Sequence, residues 1–169
     1  MKKGFKGPRV QGFERDIRIQ ITMAKMPRQV IDKLNDPKAV KFLATVDETG
    51  RPNVVYIGSL RAVDEETIIY ADSAGVKTKK NLKPNAPVAI SVLLLEKVTS
   101  YQIKGTFIGF QTTGPYFELL SELPEFKYNT YFGVRAAGVI RVDEVYAASS
   151  PLPGRRIVPS EPYLNLMDE

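Results

Sequence analysis

The densest group of chemically useful side chains in this sequence is Lys77-Thr78-Lys79-Lys80-Asn81, which follows the turn formers Asp72-Ser73-Ala74-Gly75. A turn that opens into a helix leaves backbone N–H groups free, and a lysine and a hydroxyl beside them add charged and neutral donors. Such a set suits an anion, a phosphate above all. At helical spacing Lys77 and Asn81 share a face, with Thr78 pointing beside them. The same run also reads as a solvated basic helix start. It is not a P-loop, because Gly75 stands alone and no Gly-Lys-Thr element occurs.

Two strand-like segments carry further candidates. In Val55-Tyr56-Ile57-Gly58-Ser59-Leu60 side chains should alternate, putting Tyr56, Gly58 and Leu60 on one face and Val55, Ile57 and Ser59 on the other. The Ser59 hydroxyl beside the bare Gly58 would let a flat ring or a phosphate approach closely, although an ordinary sheet position explains both. Gln102 and Lys104 share a face of a later strand. A glutamine in an apolar strand needs hydrogen bonds, which the edge of a heterocycle or plain solvent would supply. The adjacent pairs Asp47-Glu48, Glu65-Glu66 and Asp143-Glu144 fall in turns where neighbours point apart, so they read as surface turns and not as cooperating carboxylates.

Composition removes several classes of chemistry. The chain has 169 residues with no cysteine and no histidine. Disulfides, thiolate or imidazole metal sites and a histidine-based triad are therefore unavailable. No metal site is expected and no catalytic residue can be named; the remaining means are carboxylates, lysines, tyrosines, the backbone or a bound cofactor. Hydrophobic residues make up 43% and charged residues 25%, values of an ordinary globular domain large enough to bury a core. No apolar run approaches the roughly 20 residues of a membrane span, and the basic start lacks the apolar core of a secretory signal, so a cytoplasmic protein is expected.

The net charge is +5, and much of it lies in the first 28 residues, where Lys2, Lys3, Lys6, Arg9, Arg15, Arg18, Lys25 and Arg28 face only Glu14 and Asp16. That balance permits nucleic-acid binding, but no aromatic residues are interleaved for stacking, and a solvated tail is the plainer reading.

The elements that must position these groups follow from periodicity. Residues 16–22 alternate like a short strand that would add to a sheet edge or a partner. After Met26-Pro27, the residues Val30, Ile31 and Leu34 have helical spacing, and Asn35-Asp36-Pro37 stops the helix. Six strands follow, over residues 42–46, 52–60, 67–71, 88–95, 101–110 and 136–142, the last continuing through Glu144-Val145-Tyr146-Ala147. Asp47-Glu48-Thr49-Gly50 and Asp64-Glu65-Glu66 are tight turns, which makes the first three strands a meander and argues against parallel crossovers. A short helix is expected from Val76 to the Pro84-Asn85 stop, and another after Thr113-Gly114-Pro115 with Tyr116, Phe117, Leu119 and Leu120. Residues 126–133 carry Phe126, Tyr128, Tyr131 and Phe132. The strand at 88–95 is apolar on both faces and wants cover from a helix or another subunit. Gly105 and Gly109 would let a barrel wall bend or approach a neighbour. A mainly β chain with short helices and this many strands suits a small barrel closed against edge pairing.

Together these pieces resemble the FMN-binding split-barrel superfamily related to pyridoxamine 5′-phosphate oxidase. The resemblance runs from about Met26 to Ile157 and rests on the order and spacing of several short motifs. These are Phe42-Leu43-Ala44-Thr45-Val46-Asp47 with Gly50-Arg51-Pro52-Asn53-Val54, then Tyr70-Ala71-Asp72, the run from Lys77 to Asn85, Tyr101-Gln102-Ile103-Lys104-Gly105, and Val139 to Tyr146. It implies a six-stranded antiparallel split β-barrel over residues 26–157, between a basic extension (1–25) and a C-terminal tail (158–169). It also implies a homodimer with FMN in grooves between the subunits.

Carried onto this chain, Lys77 and Thr78 match the family's phosphate-contacting pair, and Ser59 matches a position near the phosphate and ribityl chain. Val55, Tyr56 and Ile57 would run beside the isoalloxazine, Asn81 would support the loop, and Gln102 would sit near the ring. Because it shares a face with Gln102, Lys104, or a lysine or arginine of the partner chain, could supply a cation near flavin N1. The Lys-Thr pair is similar to that of flavoredoxin-like and small FMN-binding members, whereas the oxidase branch has a serine–arginine–lysine run there. The function implied is an FMN-dependent oxidoreductase or flavin reductase, moving electrons from NADH, NADPH or a redox partner protein to a small acceptor. A non-enzymatic electron carrier and a nucleic-acid-binding barrel using the basic N-terminus are the competing readings.

Overall fold

The computed structural model describes residues 24–127, 133–149 and 154–158. The strand-like segment at 16–22, the residues Tyr128, Tyr131 and Phe132, and nearly all of both expected terminal extensions lie outside them.

Among the described residues eight strands form one antiparallel sheet: β1 (Val40–Val46), β2 (Pro52–Tyr56), β3 (Arg61–Ala62), β4 (Thr67–Asp72), β5 (Pro87–Leu94), β6 (Thr99–Gln111), β7 (Ala136–Ala147) and β8 (Arg156–Val158). Their order is β2-β1-β5-β6-β7-β4-β3, with β8 pairing on the second half of β7. The two strands beyond the expected six, β3 and β8, are too short for side-chain alternation to reveal. The meander expected for the first three strands does not hold. β1 and β2 pair, but β2 and β4 lie toward opposite ends of the sheet.

That order dictates the shape. β2 and β3 are the two ends of the hydrogen-bonded path, yet only residues 57–60 join them. Five peptide steps reach at most about 18 Å, so the sheet must curl until its ends nearly meet. The result is a split barrel, a curved wall with one open seam. The returning strand therefore ends at Tyr56, not at Leu60, because the chain turns there: the Ile57 N–H still donates to the Lys41 carbonyl of β1, and the Leu60 N–H turns back to Ile57. Past Tyr56 the expected alternation fails, and Ser59 and Leu60 are both buried.

Inside the wall, Leu43, Ile90, Val92, Ile103, Phe107, Ile140 and Val145 form the main core, joined by Val30 and Leu34 of helix α1 (Arg28–Asn35). A smaller core lies on the other side of β4 and β7. There Ile69, Ala71, Ala137 and Val139 pack against Leu120 of α3 (Pro115–Ser121), and Phe126 of α4 (Pro124–Lys127) joins them. Two glycines are obligatory. A Cβ on Gly138 would meet the Tyr70 ring at 2.1 Å, and one on Gly105 would meet the Arg141 carbonyl at 2.5 Å. Gly105 stands at one of two register shifts between β6 and β7, where the long strands bend.

β5 buries Val88, Ile90, Val92 and Leu94 on its inner face. Its other row, Ala89, Ser91, Leu93 and then Leu95, is half-buried or exposed. No described helix is long and apolar enough to cross a membrane.

Candidate functional site

The open seam is a cleft of about 1000 Å³. One wall is the end of β2 with the link that follows, Val55 to Ser59; the other is the end of β4 with the loop Ser73-Ala74-Gly75 and Thr78 of helix α2 (Val76–Asn81). Among the described residues β2 is an edge strand. Since Ile57 turns its N–H to β1, the alternation of an antiparallel ladder turns the N–H and C=O of Tyr56 to the unpaired side. Val55 and Ile57 pack their side chains on the main core, while the Tyr56 ring lies edge-on to Phe42 at 6.1 Å.

Two buried hydroxyls face this space. Ser59 Oγ accepts the Ala71 N–H at 3.1 Å, and Thr78 Oγ1 accepts from Asn53 Nδ2 at 3.3 Å. Each is 5–6% exposed. Each accepts, and no described residue takes its O–H proton, so both remain donors. Thr78 is held by a small amide network: Asn53 and Asn81 both donate to Thr45 Oγ1, at 3.2 and 3.1 Å.

The end of the cleft near α1 is cationic. Lys41 points inward from β1 and is only 3% exposed. Its Nζ donates to the carbonyls of Leu34 (3.0 Å) and Leu60 (3.1 Å). Burial lowers its pKa and the nearby Arg61 lowers it further, against the opposing pull of Glu125 and Asp36. Arg61 is also shifted down by burial and pulled back up by Glu125, which lies 3.8 Å from its Nη2. Asn35 fixes this corner: its amide donates to the Ala62 carbonyl at 3.0 Å and accepts the Ala62 N–H at 2.9 Å.

At the opposite end, buried Asp72 pairs with Lys79 at 3.0 Å, and Lys79 lies 5.2 Å over the Phe110 ring. Tyr70 is held far above the ordinary phenol range, by burial first and then by Asp72, and its hydroxyl has no hydrogen-bond partner among the described residues.

Val55, Tyr56, Ile57, Ser59 and Thr78 thus come together around one cleft. Lys77 and Asn81 do share a helical face, as their spacing required, but that face borders a different hollow of about 620 Å³ between α2 and the β1–β2 hairpin, together with Arg51, Lys80 and Lys83. Gln102 and Lys104 stand on the outer face of the sheet. Cross-strand register puts Gln102 in a row with Ser91, Phe42 and Tyr56, and Lys104 in a row with Ala89, Ala44 and Val54. Lys104 pairs there with Glu144 at 3.7 Å and lies 4.9 Å over the Tyr146 ring. Lys41, Arg61 and Asn35 were not among the expected site residues. The available signal was Lys41 in phase with Leu43 inside an apolar strand.

The family described as pyridoxamine 5′-phosphate oxidase matches residues 26–154, and the chain belongs to it. Its fold is that of the FMN-binding split-barrel superfamily related to that oxidase. No curated protein matches the chain. Among solved structures it is similar to HupZ of Group A Streptococcus, at 26% identity over 76% of this chain and 98% of that one, with a TM-score of 0.64. An FMN-binding protein of Syntrophomonas wolfei subsp. wolfei shares the fold at 22% identity, over 72% of this chain and 88% of that one, with a TM-score of 0.60. So does an F420 reductase, at 21% identity over 71% and 98% of the two chains and a TM-score of 0.57.

Proposed function

We propose that the seam cleft binds FMN and that the chain is an oxidoreductase of the flavin-reductase kind, taking electrons from NADH, NADPH or a redox partner protein and passing them to a small acceptor. The observation that carries this is the pair of buried, cleft-facing hydroxyl donors, Ser59 and Thr78, beside a strand edge that no described strand pairs. Hydroxyls suit a phosphate and a ribityl chain, the edge of Tyr56 suits the hydrogen-bonding rim of a flavin ring, and the volume is that of a cofactor site. The redox chemistry is supplied by the cofactor when bound. The protein's part is to fix the phosphate, align the ring along β2 and exclude water. Lys77 would reach the phosphate only from the far side of α2, which leaves Thr78 as the principal contact. A cytoplasmic location, where nicotinamide donors are at hand, suits this reading.

The partner in this reading is a second copy of the chain. The outer face of β1 and β2 exposes Phe42, Val46, Val54 and Tyr56 together, an apolar patch continuous with the uncovered row of β5. Gln102 and Lys104 border that patch, facing away from their own cleft. In a dimer packed on this face they would serve the second copy's cofactor.

The test is the anaerobic absorption spectrum of the purified protein, reconstituted with FMN and titrated with NADH and NADPH. A flavin spectrum that bleaches on titration is expected. A colourless protein that FMN does not reconstitute, or one that retains F420 in place of FMN, would overturn the assignment.

A further inference from the structure

We propose that the Lys41–Arg61 end of the seam cleft binds an anionic group of the substrate, a carboxylate or a phosphate monoester, and that Glu125 stands in that place in the free protein. The proposal rests on the reading of the cleft as a flavin site and adds the class of molecule that reacts there.

Lys41 is a buried ammonium without an ion-pair partner among the described residues. Two of its protons go to the Leu34 and Leu60 carbonyls, and the third is uncommitted. Carbonyl dipoles alone compensate a buried charge poorly, and an anion arriving in the cleft would complete its shell. Arg61 is prepared in a complementary way. Asn35 clamps the neighbouring Ala62 by two hydrogen bonds, and Arg61 Nε reaches the Ser59 carbonyl at 3.4 Å. Its Nη2 lies toward Glu125, 3.8 Å away, and a guanidinium is the fork that grips two oxygens of one anion.

The acid now opposite is Glu125. It lies 3.8 Å from Arg61, its side chain is 49% exposed, and its field reaches Lys41 as well. It belongs to α4, a helix of four residues, and lies at the loose limit of an ion pair. Asp36 also acts on Lys41, but its carboxylate is engaged by the Lys38 N–H at 2.8 Å outside the cleft. Two cations therefore share one weakly held carboxylate. A ligand anion that displaced Glu125 would meet both, while Thr78 at the other end of the cleft kept the cofactor's phosphate.

The experiment titrates FMN-loaded protein with benzoate, phenyl phosphate and the neutral benzyl alcohol, read by the shift of the flavin absorption band. The wild type should bind one of the anions about tenfold or more tightly than the alcohol, the value of a charge-assisted hydrogen bond. Whether benzoate or phenyl phosphate is preferred decides between carboxylate and phosphate. Lys41→Met and Arg61→Gln should abolish the preference, and Glu125→Gln should strengthen it. Should Lys41→Met fail to fold, Arg61→Gln carries the test, because that side chain is partly exposed and the bonds from Asn35 to the Ala62 backbone do not involve it. Each variant is also titrated with FMN and riboflavin. An unchanged FMN-to-riboflavin affinity ratio is expected; a ratio that collapses in Arg61→Gln means that this end holds the cofactor's own phosphate, and overturns the proposal. So does a wild type that binds the anions no better than the alcohol. If neither flavin binds at all, the flavin reading fails separately, and calorimetric titration of the flavin-free protein and its Arg61→Gln variant with the two anions still decides the site.

Discussion

Lys77 and Thr78 are neighbours in sequence and serve different spaces. Thr78 is buried against the seam cleft, with its oxygen held by Asn53, while Lys77 borders the basic hollow behind α2. The two substitutions should therefore differ sharply. Thr78→Val keeps the shape, removes the donor and should weaken FMN binding about tenfold, as expected for a hydrogen bond to a charged oxygen. Lys77→Ala removes an exposed charge and should cost about twofold or less, in line with weak surface electrostatics. Fluorescence titration with FMN measures both, and equal losses would show that the pair acts as one anion clamp. At this scale the sequence singled out Ser59 and the β2 segment, because a hydroxyl and a bare glycine in an apolar strand stand out. It singled out Thr78 because that residue follows a turn at a helix start, and the structure brings all of them to one cleft. For Lys41 it carried only the weak signal of a shared phase with Leu43. Within Val40-Lys41-Phe42-Leu43 a lysine reads as the outward residue, and only the strand order reveals a carbonyl-lined pocket behind it.

The β1–β2 hairpin presents Asn53 and the edge of Tyr56, and its turn depends on Asp47. One carboxylate oxygen accepts the Thr49 N–H (2.9 Å), the Thr49 hydroxyl (2.7 Å) and the Arg51 N–H (3.0 Å), while Gly50 takes φ of +83°. Those bonds, the Thr49 hydroxyl first, hold the Asp47 pKa below its usual 3.8. A carboxylate whose folded pKa is depressed stabilises the fold fully above the unfolded value, and that contribution is lost as pH falls through the folded value. Asp47→Ala should therefore melt below the wild type at neutral pH, with the gap closing under acid conditions; melting curves at both pH values test it.

This hairpin and the Asp64-Glu65-Glu66 turn were legible, because turn chemistry is local. There the Val63 N–H bonds Thr67 and the Glu66 N–H bonds the Asp64 carboxylate. The inner face of β1 was not legible. Phe42, Ala44 and Val46 are at least as apolar as Lys41, Leu43 and Thr45, yet the latter set faces the core. Alternation gives two faces and does not say which one is covered.

At the scale of the molecule the barrel wall is apolar outside as well as inside across β1 and β2. Val54 is 64% exposed in the centre of that patch. Its side chain is largely in solvent in the single chain, so Val54→Glu should leave the fold intact, convert the proposed dimer to monomer and weaken FMN retention together. Light scattering and the flavin-to-protein absorbance ratio report the two effects, and a variant that stays dimeric places the interface elsewhere.

The wall also has a keystone. β7 pairs β6 along its length, β4 through its first half and β8 through its second. Thr67 must wait for Arg141, and Asp72 for Ala136, before β4 gains more than the two-residue partner β3. During synthesis, β4 and the outer edge of β6 thus emerge from the ribosome long before the strand that joins them. Until β7 arrives the nascent chain carries two bare, apolar edges, the surfaces most prone to pair with another chain. A chain truncated before Ala136 leaves both open permanently, so the nascent protein is most vulnerable to aggregation just before its last long strand is made.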